Sequence, residues 1–312
     1  MHWSAMIAQS SPHLHLTTQE ALSGVFGSIS LASWIFLLVP QLIENYKQGS
    51  ADGISLTFLA VWFIGDITNL AGALWAGLVP TVIALAIYFC FADLILISQC
   101  VYYNLKNSRR ARKTSTRSAD SVDAPLLGRR DSSNMGLPGS HRRDSQASRR
   151  RRASSLPTIA DVEEGGSEWI KNALSIGGVC AVGAAGWAIA WKTGVWAPQP
   201  LKDDGAGTDV ALGAQILGYA SAVCYLGARI PQIIKNQREK SCEGLSLLFF
   251  MLSLLGNATY GAGILFHSQE KEYLLINLPW LIGSLGTMVE DAIIFIQFRA
   301  FGNSENSSAL EA

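Results

Sequence analysis

Val39-Pro40-Gln41-Leu42-Ile43 closes one apolar segment, and Ile230-Pro231-Gln232-Ile233-Ile234 closes another. The likeness continues at a single offset of 191 residues. Asn45 answers Asn236, Gly53 answers Gly244 and Ser55 answers Ser246; in the next apolar segment Gly65, Thr68 and Gly72 answer Gly256, Thr259 and Gly263. Matches held over a whole helical hairpin mark an internal duplication, and duplicated hairpins in an apolar chain point towards a transporter.

Composition agrees. The chain is 49% hydrophobic and only 15% charged, where soluble domains usually carry about 25% charged residues. Most Lys and Arg fall between Lys106 and Lys171, so the remainder is more apolar than the average. Net charge is zero, which argues against a nucleic-acid partner, since a basic stripe is the expected footprint there. Cys90, Cys100, Cys180, Cys224 and Cys242 lie in or beside apolar segments with no metal-ligand spacing, and read as small core hydrophobes. No cofactor or metal is implied.

A bilayer core takes about 20 apolar residues per helix. Seven stretches qualify: Ala21–Ile43, Ile54–Ala76, Thr81–Tyr103, Ile170–Trp191, Ala211–Ile233, Leu245–Phe266 and Leu274–Phe298. The fold class is therefore an all-α membrane protein of seven transmembrane helices in a 3+1+3 arrangement. Residues 1–20 form a leader, 21–105 the first three-helix unit, 106–168 a loop, 169–192 a linker span, 193–210 a second loop, 211–298 the second unit and 299–312 a tail. Lys47, the run from Lys106, and Lys235, Arg238 and Lys240 share one side. The positive-inside rule puts that side, with both Pro-Gln loops and the C-terminus, in the cytosol and the N-terminus in the lumen or exterior. A directly repeated three-helix unit would be inverted, so the fourth span restores parallel orientation.

The phrases Leu38-Val-Pro40-Gln41-Leu-Ile-Glu44-Asn45-Tyr46, Gly65-Asp66-Ile-Thr-Asn69 and Ala228-Arg229-Ile-Pro231-Gln232 resemble the PQ-loop family, and within it the vacuolar and lysosomal exporters of cationic amino acids. The resemblance covers nearly all the apolar chain. It implies alternating access, with Pro40 and Pro231 as hinges and cationic amino acids moved from lumen to cytosol. The lysosomal cystine transporter, a proton symporter, belongs to the same family and is the alternative it leaves open. A membrane-embedded nutrient sensor or receptor is the alternative of another class.

The residues give independent reasons. Proline removes one helical hydrogen bond and loosens the preceding turn, while Gln41 and Gln232 can cap freed carbonyls or bond across the pseudo-symmetry axis. Asp66 and Asn69 lie one turn apart on one face of the second span, and their counterparts are Asn257 and Tyr260. Asp93 and Asp291 correspond after a short length difference, each followed six residues on by Gln99 and Gln297. Ionisable groups at bilayer depth face a cavity or a partner. Arg229 is the basic residue well inside a span, as a gate, a partner for a substrate carboxylate or a static ion pair; its counterpart is Leu38. Four acids (Asp66, Asp93, Glu290, Asp291) against one base make the pathway electronegative, which suits a cation or a proton. Trp62, Trp75, Tyr260 and Trp280 are candidates to stack on a cationic side chain.

The loop after Lys106 is rich in Ser, Arg, Gly and Asp and too polar to fold alone. Ser132, Ser145 and Ser154 each follow an Arg pair and resemble kinase sites, and Asp123-Ala-Pro-Leu126-Leu127 resembles a dileucine motif for a sorting adaptor. Ser, His and Cys are not arranged as a nucleophile with its base, so an enzyme is not expected. The implied partners are the small-molecule substrate, protons and the lipid bilayer.

Overall fold

The computed structural model describes residues 16–51, 55–118, 168–197, 212–242 and 247–308. They form seven helices: α1 (Thr18–Gln48), α2 (Leu56–Ala76), α3 (Pro80–Ser118), α4 (Glu168–Lys192), α5 (Leu212–Glu239), α6 (Leu247–His267) and α7 (Lys271–Ser308). Six are long and apolar enough to cross a membrane; α5 falls short, diluted by Gln215, Arg229 and Gln232. Ser132, Ser145, Ser154 and the dileucine motif lie outside the described residues.

Local chemistry sets the helix ends. Thr17 begins α1 with a capping box: its side chain accepts from the Glu20 amide, and its own amide donates to Glu20 Oε2 at 2.9 Å. Gly49 ends α1 in the left-handed region at φ 61°, and Lys240, its counterpart after α5, adopts φ 50°. Both helices run through their prolines for two further turns, past the ends expected at Ile43 and Ile233. The third helix likewise continues to Ser118, into the segment expected as loop from residue 106. Between Leu105 and Ser118 there is neither Gly nor Pro, and extending an existing helix adds a bond for each residue fixed.

Packing alternates between the halves. α1 lies on α6 and α2 on α5; α3 packs against α2 and α1, α7 against α6 and α5, and α4 against α1. The two inter-half crossings are repeat-related and very close. A Cβ on Gly263 would sit 3.2 Å from the backbone nitrogen of Gly27, and one on Gly72 would sit 3.1 Å from the carbonyl oxygen of Ala214 and 3.3 Å from the nitrogen of Gly218. Such approach is how membrane helices gain van der Waals contact where lipid offers no hydrophobic drive. Ser23 Oγ and Ser30 Oγ add hydrogen bonds to the carbonyls of Gly263 (2.6 Å) and Gly256 (2.8 Å).

The exposure pattern is that of a membrane protein. Phe91 is 65% exposed and Ile64 55%, whereas Asp66 is 0% and Arg229 2% exposed. Apolar side chains face outward, and polar ones are gathered between the helices.

Two glycines of α4 separate packing from backbone effects. A methyl at Gly183 would meet the Ile29 backbone of α1 at 2.6 Å, whereas Gly186 has nothing within 4 Å. Gly183→Ala is expected to cost about 1–3 kcal/mol. Gly186→Ala is expected to be neutral or to stabilise by up to about 1 kcal/mol. Thermal unfolding of the two variants in detergent checks the difference.

Candidate functional site

A cavity, part of it open to the outside, lies between the two halves. Its walls are mainly aromatic: Trp34, Phe58, Trp62, Phe89, Tyr225, Tyr260 and Trp280. Polar groups are few and come from both halves: Asn69, Ser221, Arg229, Asn257, Ser284 and Thr287. Trp280 Nε1 donates to Asn69 Oδ1 at 2.7 Å, which fixes both side chains at the wall.

Arg229 supplies the charge at the cavity surface, and its neutralising group stands behind it. The guanidinium pairs with Asp291 at 2.5 Å and donates to Ser253 Oγ at 2.8 Å; Ser253 in turn donates to Asp291 at 2.7 Å. Ser253 thereby joins α5, α6 and α7, and Asn257 Nδ2, one turn along α6, donates to the Ser253 carbonyl at 3.0 Å. Ionised groups this deep are held only with their hydrogen bonds satisfied. Glu290, on the neighbouring face of α7, is half-buried and close enough to be influenced by Arg229.

The other half is built differently. Asp66 is fully buried and accepts from Tyr225 Oη at 2.8 Å. Asp93 of α3, 4% exposed, lies within hydrogen-bonding reach of it. Among the described residues the only ion pair is Arg229 with Asp291, so these two carboxyls have no cationic partner there.

The Pro-Gln motifs sit apart from the cavity, in two matching amide ladders. Gln41 donates to Asn45 (2.9 Å), Asn45 to Gln99 (3.2 Å), and Gln99 to the Leu42 carbonyl (3.0 Å). Gln232 donates to Asn236 (2.7 Å), Asn236 to Gln297 (3.0 Å), and Gln297 to the Ile233 carbonyl (3.0 Å). Gln99 and Gln297 thus each hold a backbone carbonyl two residues beyond a proline. Each ladder ties the turns after a proline to the third helix of its own half.

Of the residues singled out from sequence, Asn69, Asn257, Tyr260 and Arg229 line the cavity, whereas Asp66, Asp93 and Asp291 stand behind its wall. Pro40 and Pro231 lie within α1 and α5. Trp62 and Trp280 also line the cavity, but Trp75 is 61% exposed on the outer surface. Two participants were missed. Tyr225 could have been found from the offset, because its counterpart Trp34 is also aromatic. Ser253 answers Trp62 and carries no such signal.

Duplicated hairpins around a shared cavity define a membrane transporter built on PQ loop repeats, and family comparison agrees: residues 22–82 and 213–273 match the PQ loop repeat. The chain is 36% identical to a vacuolar lysine transporter of Saccharomyces cerevisiae over 287 residues, covering 90% of this chain and 93% of that one. It is 38% identical to a vacuolar histidine transporter of the same yeast over 301 residues (93% and 95%). With the lysosomal amino acid transporter 1 homolog of Homo sapiens it shares 31% identity over 302 residues (94% and 86%). The chain belongs to the PQ-loop family, beside its vacuolar and lysosomal amino acid transporters. These relatives are transporters, not enzymes.

Arg229→Leu, which copies Leu38 of the other half, leaves Asp291 buried and unpaired. A stability loss of about 3–5 kcal/mol is expected. Removing both charges, in Arg229→Leu with Asp291→Leu, is expected to recover most of it. Thermal unfolding of the single and double variants in detergent provides the comparison.

Proposed function

We propose that this protein exports cationic amino acids (lysine, arginine and histidine) from the lumen of a vacuole or lysosome to the cytosol by alternating access. The observation that carries this reading is the aromatic cavity with one guanidinium on its wall and carboxyls behind it. A cationic amino acid has an anionic and a cationic end. Its α-carboxylate meets Arg229; the same charge repels the far cation, which settles on the aromatic faces, where a desolvated cation gains about 2 kcal/mol. Asn69 and Asn257 add polar contacts from the two halves. The Asp66 and Asp93 carboxyls offer a place for a proton, so the reading extends to coupling with a proton gradient. The yeast relatives named for lysine and histidine support the substrate class.

The reading takes α5 as a seventh span in a 3+1+3 arrangement, with α4 setting the two halves parallel. The repeat-related crossings of α1 on α6 and α2 on α5 support it. Lys47, Lys106, Arg109, Lys235 and Arg238 cluster at the ends of α1, α3 and α5, which favours a cytosolic C-terminus and a lumenal N-terminus. Pro40 and Pro231 act as hinges. The amide ladder beyond each makes the following turns move with α3 or α7, so bending concentrates at the proline.

Uptake of labelled arginine, lysine, histidine and cystine into liposomes, with and without an inward pH gradient, tests the proposal. Saturable arginine or lysine uptake that responds to the gradient is expected. Asp66→Asn is expected to lower uptake by about tenfold or more, the scale of a lost hydrogen bond to a charged group, and to weaken the response to the gradient. Uptake of cystine alone would move the protein to proton-coupled cystine transport. Folded protein that carries none of the four would favour a receptor.

A further inference from the structure

We propose that Tyr225 is a positioning residue that keeps Asp66 in reserve: its phenol stands between the cavity and the Asp66–Asp93 carboxyls, and the ammonium or guanidinium of the substrate takes Asp66 when the phenol swings aside. This rests on the transport reading above.

Three observations converge. First, Tyr225 lines the cavity while its hydroxyl donates to Asp66 at 2.8 Å, so one side chain touches both compartments. Its ring lies against Gly65, where an added Cβ would be 3.0 Å from Cε1 and 3.3 Å from Cδ1. Glycine at 65 makes room for the ring in this pose.

Second, Asp66 is buried and, apart from the Tyr225 hydroxyl, its near partner is another carboxyl, Asp93, rather than a cation. Two buried carboxyls side by side favour a cation that reaches them, since ionisable groups at this depth are held by partners. The groups facing Asp66 are Asp93 of α3, with Cys90 one turn away, and Tyr225 and Cys224 of α5; Tyr260 stands close to Tyr225. Neither Lys, Arg nor His is among them.

Third, the opposite half shows what a complete arrangement holds. Asp291 has a hydroxyl from Ser253 and a guanidinium from Arg229. At Asp66 the carboxyls come from the first half and the hydroxyl from α5 of the second, and among the described residues no cation completes them. The missing member has the chemistry of the substrate's charged end. Trp34, the counterpart of Tyr225, leans on Gly256 in the same way, its Nε1 2.8 Å from where a Cβ would be. It has no hydroxyl to offer, and Asn257 stands where Asp66 would be. The device therefore has no repeat-related copy on the other side of the cavity.

Arginine uptake by Tyr225→Phe, Asp66→Asn and the double variant in liposomes is the test. A wild-type chain that carries no arginine defeats the transport reading itself, and this is seen before any variant is compared. With wild-type uptake in hand, Tyr225→Phe removes the hydroxyl that competes with the substrate for Asp66. Its KM for arginine is expected to fall about tenfold or more, the scale of one hydrogen bond to a charged group. In the Asp66→Asn background the same change is expected to leave KM where it was, which a purely structural role for the ring would not produce. A KM equal to or above wild type in Tyr225→Phe, or a fall that persists with Asn at 66, overturns the proposal. The unmutated chain gives an independent measurement if Tyr225→Phe does not fold. A hydrophobic carbodiimide modifies membrane-buried carboxyls, and saturating arginine is expected to reduce modification of Asp66 several-fold by mass spectrometry. Modification unaffected by arginine overturns it equally.

Discussion

Two backbone crossings, Gly27 on Gly263 and Gly72 on Gly218, hold the molecule together. A bilayer offers no hydrophobic reward for joining helices, so association rests on close van der Waals contact and a few interhelical hydrogen bonds. Glycine at the crossing points permits contact at 3.2–3.3 Å from a notional Cβ to backbone nitrogen, and the Ser23 and Ser30 hydroxyls reinforce one of the two crossings. Because each crossing joins the first helix of one half to the second helix of the other, it also sets the outline of the cavity. Trp34 and Tyr225 enter that cavity from equivalent places, each lying on the glycine of the facing helix.

On this symmetric frame the polar chemistry is deliberately unequal. The amide ladders are the same in both halves, residue for residue, and each fastens the turns after a proline to its third helix. The acids are not. Asp291 has an arginine and a serine, whereas Asp66 and Asp93 have a tyrosine and each other. A perfectly symmetric site would hold both ends of an amino acid in the same environment. Arg229 in place of leucine, and Asp66 in place of asparagine, give the cavity a direction.

Much of the fold was legible because membrane helices announce themselves by length and apolarity, and because the 191-residue offset ties distant positions together. The same offset pointed to Asn69, Asn257 and Tyr260. It was less informative about helix ends: the apolar runs stop at Ile43 and Ile233, yet α1 and α5 continue into polar sequence as far as Gln48 and Glu239. Side-chain depth was the other limit. Asp66, Asp93 and Asp291 read as pathway residues from their charge, but whether a carboxyl lines a cavity or stands behind its wall depends on helix rotation, which one chain's periodicity leaves open. Ser253 was invisible for a related reason. Its work with Arg229 and Asp291 exists only once α5, α6 and α7 meet.

The crossing of α1 on α6 and of α2 on α5 has an evolutionary corollary. Each half carries both surfaces: one that seats on a partner's second helix and one that receives a partner's first. Such self-complementarity is the mark of an isologous two-fold interface, so a half-length chain already contains what is needed to assemble with a second copy of itself around the same chamber. What a homodimer cannot do is place an arginine on one side and an aspartate on the other, since every substitution would appear twice. A single chain that carries both halves is free of that constraint, and Arg229 and Asp66 each stand on one side only.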